Sequence, residues 1–118
     1  MKSALNALPA GTVLKAIDDQ GSLKLFFAGD LALLPETVKN AFPKTSASEL
    51  TKNGKSYLPI YIGSDEAAMM REKKLFQNTG DTIDGFFGND VYVAGVLRKT
   101  GTVFDLLHYI PQNMKVSL

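Results

Sequence analysis

Apolar residues in this chain alternate with polar ones in some stretches and recur at helical spacing in others, with glycine, proline and asparagine marking the divisions. Residues 11–18, GTVLKAID, and 22–28, SLKLFFA, have the β-branched and aliphatic content of strands, and Asp19-Gln20-Gly21 supplies a hairpin turn between them. In the second strand Leu23, Leu25 and Phe27 share one face, expected to meet the core, while Lys24 and Phe26 share the other.

Pro35-Glu36 suits the first turn of a short helix, because proline is preset for that backbone and glutamate favours the positive end of the helix dipole. Val38, Ala41 and Phe42 form its expected buried stripe, and Pro43 ends it. Residues 44–55, KTSASELTKNGK, are polar and read as an exposed connection with a turn at Asn53-Gly54. YLPIYIG, residues 57–63, is strand-like, although Pro59 cannot donate to a ladder and so argues for a sheet edge or for the opening of the strand. Ser64 then reads as an N-cap, followed by Asp65 and Glu66 in the first turn of a helix that continues through residues 67–76.

From Thr82 the pattern returns to strands: a short TID, a turn through Gly85 and Gly88-Asn89, then DVYVAGVLRK. Both faces of that last strand are mainly apolar, as in a central strand buried on two sides, and Gly95 within it marks a bulge or a close backbone approach. Lys99-Thr100-Gly101-Thr102 is a further turn, and VFDLLHYIP closes the fold as a strand or short helix. These elements predict one α+β domain over residues 1–118, with a mixed or antiparallel sheet, able to close toward a small barrel, and one or two packed helices.

Composition agrees with one soluble-type domain. The 118 residues are 45% hydrophobic and 21% charged, and a chain of this length buries about two-thirds of its unfolded surface. Thirteen basic residues against twelve acidic ones leave a net charge of +1, with signs interspersed as in Arg71-Glu72-Lys73-Lys74, so nucleic acid is not an expected partner. There is no cysteine, hence no disulfide, thiolate metal site or cysteine nucleophile. The first residues, MKSALNALPAGT, contain no apolar run of signal-peptide or membrane-anchor length, so any targeting segment or transmembrane span is expected outside this stretch.

Candidate chemistry is sparse. KLFFAGDLALLP around Gly29-Asp30 and KLFQNTGDTIDG around Gly80-Asp81 share an order that suggests an internal duplication. In each, glycine permits a tight turn and aspartate accepts backbone amides, so Asp81 reads as a turn residue before it reads as a catalytic acid. His108 is the single histidine; without a second imidazole or a cysteine it does not predict a metal site, and a partly buried, hydrogen-bonded role is expected. Asp105 would orient it on a helix but face away from it in a strand. No serine stands in a G-x-S-x-G context, and Asp81, Asp84 and Asp90 lack the spacing and final glutamate of a calcium loop. Met69-Met70 on the predicted helix reads as core filling rather than a metal surface. Phe86-Phe87, flanked by glycines, is open between core packing and an interaction surface.

The segment from Tyr57 to Pro111 resembles the extracytoplasmic core domain of MacB/FtsX-type ABC transporter permeases. The correspondence runs through Ile62-Gly63, Gly80-Asp81-Thr82-Ile83, residues 91–97 and Asp105, in about the last half of the chain. It departs from a permease in having no transmembrane helices and no phosphate-binding G-x-x-x-x-G-K-[ST] loop. The resemblance implies an extracytoplasmic domain, periplasmic or at the cell surface and membrane-associated in the full-length protein, with no catalytic residues. The leading expectation is therefore a non-enzymatic interaction or coupling domain that needs no cofactor or metal, partnered by a membrane transporter or another protein. Its contact surfaces are residues 44–55 and 86–89. The alternative is a small-ligand-binding barrel whose cavity is lined by Phe87, His108 and Tyr109; Phe86, Phe87, His108 and Tyr109 are thus the candidate binding residues. A third, weaker class is a hydrolase-like enzyme using Asp81 and His108.

Overall fold

A computed structural model describes residues 12–17, 23–29, 34–43, 48–86 and 89–111. The strands are β1 (Thr12–Ile17), β2 (Leu23–Gly29), β3 (Leu50–Lys52), β4 (Lys55–Ile62), β5 (Thr82–Phe86), β6 (Asn89–Val96) and β7 (Leu107–Pro111). The helices are α1 (Glu36–Lys39) and α2 (Ser64–Glu72), and a 3₁₀ turn (Val103–Leu106) precedes β7. Six strands form one mixed sheet in the order β1-β2-β7-β4-β6-β5, and β3 adds to the first half of β4. The sheet is open, so the expected mixed sheet is present and the closure toward a barrel is not: β1 and β5 pair with one neighbour each among the described strands.

The last of the described strands lies in the middle. β7 runs parallel to β2, with Phe26 opposite His108, and antiparallel to β4, with Tyr61 opposite Tyr109. Burial follows the alternation of these central strands. On one face Phe26, Ile60, Ile62, Val91, Val93 and Ile110 pack beneath Ala67 and Met70 of α2. On the other, Leu25, Phe27, Tyr61, Leu107 and Tyr109 pack against Val38, Ala41 and Phe42 at α1. The expected helix stripe is thus present. Phe26, expected on the non-core face of β2, is buried because that strand has a helix over each face.

Two irregularities explain the remaining differences from expectation. In β4 the register to β6 shifts between Ile60, opposite Val93, and Tyr61, opposite Gly95, leaving Ala94 as an extra residue on β6. The bulge reverses the alternation: Val91 and Val93 face the α2 side, whereas Leu97 faces the α1 side. Gly95 is also a close approach, since a Cβ there would come within 2.7 Å of Pro43 Cγ. Pro59 does not mark an edge. β4 is central, but β3 pairs with residues 55–57 and β7 with residues 61–62 of the same flank. Pro59 shares the flank to which the Gly63 N–H donates, toward Leu107 O, and so its missing N–H falls in the gap between the two neighbours.

Residues 50–55, expected to be part of an exposed connection, instead build a hairpin with β4. Asn53 (φ 53°) and Gly54 (φ 75°) form its two-residue turn, the type I′ geometry that matches strand twist. Ser64 does not cap α2; Gly63 holds the N-cap position, and Ser64 Oγ donates to Asp65 Oδ1. Helix α2 stops at Glu72, short of residue 76, in a Schellman closure. Leu75 N donates to Met70 O and Lys74 N to Arg71 O, with Lys74 at φ 63°. The two lysine-leucine-phenylalanine runs of the suspected duplication are structurally unlike, one lying in strand β2 and the other in this helix exit.

Candidate functional site

His108 sits at the centre of the sheet with no exposed surface. Its Nδ1 lies 3.1 Å from Leu25 O, and since a carbonyl only accepts, Nδ1 carries the proton. The ring stacks on Phe26 at 4.7 Å between centroids, and Phe86 approaches it at 5.3 Å. Its Nε2 is 3.1 Å from Glu66 Oε2, a carboxylate buried to 1% exposure. That separation is within ion-pair reach, yet Nε2 has no well-aligned hydrogen bond. Glu66, expected simply to meet the helix dipole, is turned inward with Ala67 and Met70 on the buried face of α2.

The four residues singled out for binding do not share one surface. His108 and Tyr109 are neighbours on β7 and so project to opposite faces: His108 against Phe26, and Tyr109 against Phe27, Phe42 and Tyr61. Phe86 is half-buried against Phe26 and His108, and Phe87 lies outside the described residues. The ring of His108 is enclosed by Leu25, Phe26, Glu66 and Phe86.

Asp81, weighed as a catalytic acid, and Asp105, weighed as an orienter of His108, are both engaged by backbone. Asp81 Oδ2 accepts the N–H groups of Gln77 and Asn78, each at 2.9 Å. These bonds, Asn78 first and then Gln77, hold its carboxyl below the usual aspartate range. Both amides precede the aspartate in sequence. Asp105 does not orient His108. Its carboxylate accepts the Thr100 N–H, the Thr100 hydroxyl and the Gly101 N–H, each at 2.8 Å. Burial raises the Asp105 carboxyl, but those bonds and the nearby Lys99 outweigh it and leave it below its ordinary value.

A solvent-facing constellation lies where two hairpins meet. Lys55, at the start of β4, places Nζ 3.3 Å from Asp84 Oδ2 on β5 and 3.6 Å from Asp90 Oδ2 on β6. Asp90 Oδ1 also accepts the Gly85 N–H, fixing the bulge before the β5–β6 turn. The Lys55 ammonium stands 5.7 Å from the Tyr57 ring centroid. The bond to Asp84 raises the lysine above its ordinary value; burial, followed by Asp84, raises the Tyr57 phenol. Sequence reasoning named the two loops but not their meeting. The three side chains are separated in sequence, and only the parallel pairing of β4 with β6 brings them together.

No protein-family model, curated protein or solved structure matches this sequence. The permease resemblance accordingly rests on the sequence motifs alone. Among the described residues, no helix is long and apolar enough to cross a membrane.

Proposed function

We propose that this domain is a non-enzymatic interaction module that presents the adjoining ends of its β3–β4 and β5–β6 hairpins to a protein partner. The observation that supports it best is the Lys55 bridge to Asp84 and Asp90, which ties the two polar surfaces into one. The distribution of reactive groups agrees: His108 and Glu66 are enclosed in the core, and Asp81 and Asp105 are engaged by backbone amides. In the transporter-coupled form of this reading, supported by the resemblance over residues 57–111, the domain is extracytoplasmic and the partner is another component of an ABC-type transporter.

A photo-crosslinking amino acid placed at Asn53, compared with one at Val103, tests it. Val103 is exposed and adjoins the opposite end of β4, where Gly63 meets the 3₁₀ turn. The expected result in cells is a discrete adduct from position 53 that is lost with Lys55→Glu and absent from position 103. Equal labelling at both positions, or labelling indifferent to Lys55→Glu, would overturn the proposal. Recovery of a transporter subunit in the position-53 adduct supports the transporter form; another protein overturns that form alone.

A further inference from the structure

The β3–β4 turn has the composition and placement of a self-modifying site. Asn53 is followed by Gly54, both are exposed, and beyond the two adjoining residues no atom lies within 4 Å of where a Gly54 side chain would begin. In a two-residue turn of this kind the closing bond uses the N–H of the residue after the glycine, so the glycine's own N–H faces water. Lys52 precedes the pair, and its positive charge favours loss of a proton from that N–H, whereas the charge of Lys55 is offset by Asp84 and Asp90. The other described asparagines are placed differently. Asn40 is followed by Ala41, whose N–H is bonded to Val38 O; Asn78 donates its own N–H to Asp81; and Asn89 is buried. Asp84-Gly85 shares the glycine, but its carboxylate is held by Lys55.

We propose that Asn53-Gly54 is a site of spontaneous deamidation. The Gly54 nitrogen gives up its proton and bonds to Asn53 Cγ; the bond from Cγ to the amide Nδ2 breaks and that nitrogen leaves as ammonia, closing a five-membered imide. Water then opens either of the imide's carbon–nitrogen bonds, giving aspartate or isoaspartate. One water enters and one ammonia departs, with no oxidation or reduction. The isoaspartate product inserts an extra backbone carbon into a turn of two residues, which disrupts the Lys52–Lys55 pairing. Either product sets a new carboxylate beside Lys55, in competition with Asp84 and Asp90.

Incubation of the purified protein in mildly alkaline buffer, followed by peptide mass mapping and isoaspartate detection, tests the site. The amide-to-acid mass gain is expected in the peptide containing Asn53 before those containing Asn40, Asn78 or Asn89, with isoaspartate present. Gly54→Asn keeps a residue tolerant of positive φ but screens the attacking nitrogen, and should suppress the gain. A parallel incubation in urea separates chemistry from fold. A gain seen only in the unfolded protein, equal rates at the other asparagines, or an unchanged rate in the variant would each overturn the proposal.

Discussion

Glu66 Oε2 and His108 Nε2 lie 3.1 Å apart with almost no access to water. Together with the Leu25 carbonyl they tie α2, β7 and β2 into one unit. Removing one partner takes from the other, in a site closed to water, the polar contact that faces it, so Glu66→Ala and His108→Ala should each cost about 3–5 kcal/mol. Replacing both with apolar residues of similar volume, as in Glu66→Leu with His108→Phe, should cost much less than the sum. Urea denaturation of the three variants decides this; additive losses would show the pair to be uncoupled.

Gly63 tolerates no side chain, because a Cβ would stand 2.4 Å from Asp105 O and 2.6 Å from Phe104 O, both main-chain atoms. At Gly95 the obstacles are the rings of Pro43 and Tyr61, at 2.7 and 3.1 Å, rather than main chain. Gly63→Ala is therefore expected to destabilise by ~3 kcal/mol or more and Gly95→Ala by about 1–2 kcal/mol. Thermal melts should preserve that order.

Acid sensitivity should be traceable to Asp105. Burial alone would raise its carboxyl, but Thr100, Gly101 and Lys99 bring it below its ordinary value. A folded-state value below the unfolded one, about 3.9 for aspartate, gives stability that is complete above that pH and fades as pH falls toward the folded value. Asp81, held low by Asn78 and Gln77, acts in the same direction. Urea midpoints measured across the acid range should fall more steeply for the natural sequence than for Asp105→Asn. Parallel curves would remove Asp105 as the cause.

The exit of α2 holds a correctable strain. Lys74 occupies a left-handed position, φ 63°, that favours glycine. Lys74→Gly should stabilise the protein by about 0.5–1 kcal/mol, the gain from relieving that strain less the added freedom of the unfolded state. An unchanged or lowered urea midpoint would show that the contacts of the lysine outweigh what its backbone costs.

Local features were readable in the sequence. The β1–β2 hairpin, the helix after Pro35, the Asn53-Gly54 turn and the two apolar faces of β6 each depend on residues close in sequence, where propensity and periodicity act directly. What escaped reading depends on distant pairing. Pro59 pointed to an edge because the gap between β3 and β7 is formed by strands far apart in sequence. Glu66 looked like a dipole partner because its true neighbour, His108, arrives only when β7 enters the sheet. The β3 strand was hidden by its polar content, which an exposed hairpin arm tolerates. The meeting of Lys55 with Asp84 and Asp90 likewise requires β6 to lie beside β4.

Because β2 and β4 are joined through β7 rather than to each other, the two halves of the sheet have no backbone seam until residues 107–111 are in place. On the ribosome, the early hairpin must wait beside an unfinished partner until those residues have emerged. Assembly of the sheet is thereby timed by the synthesis of its central strand, and a nascent polypeptide halted before β7 would expose the flanks of two apolar strands to whatever chaperone stands at the exit.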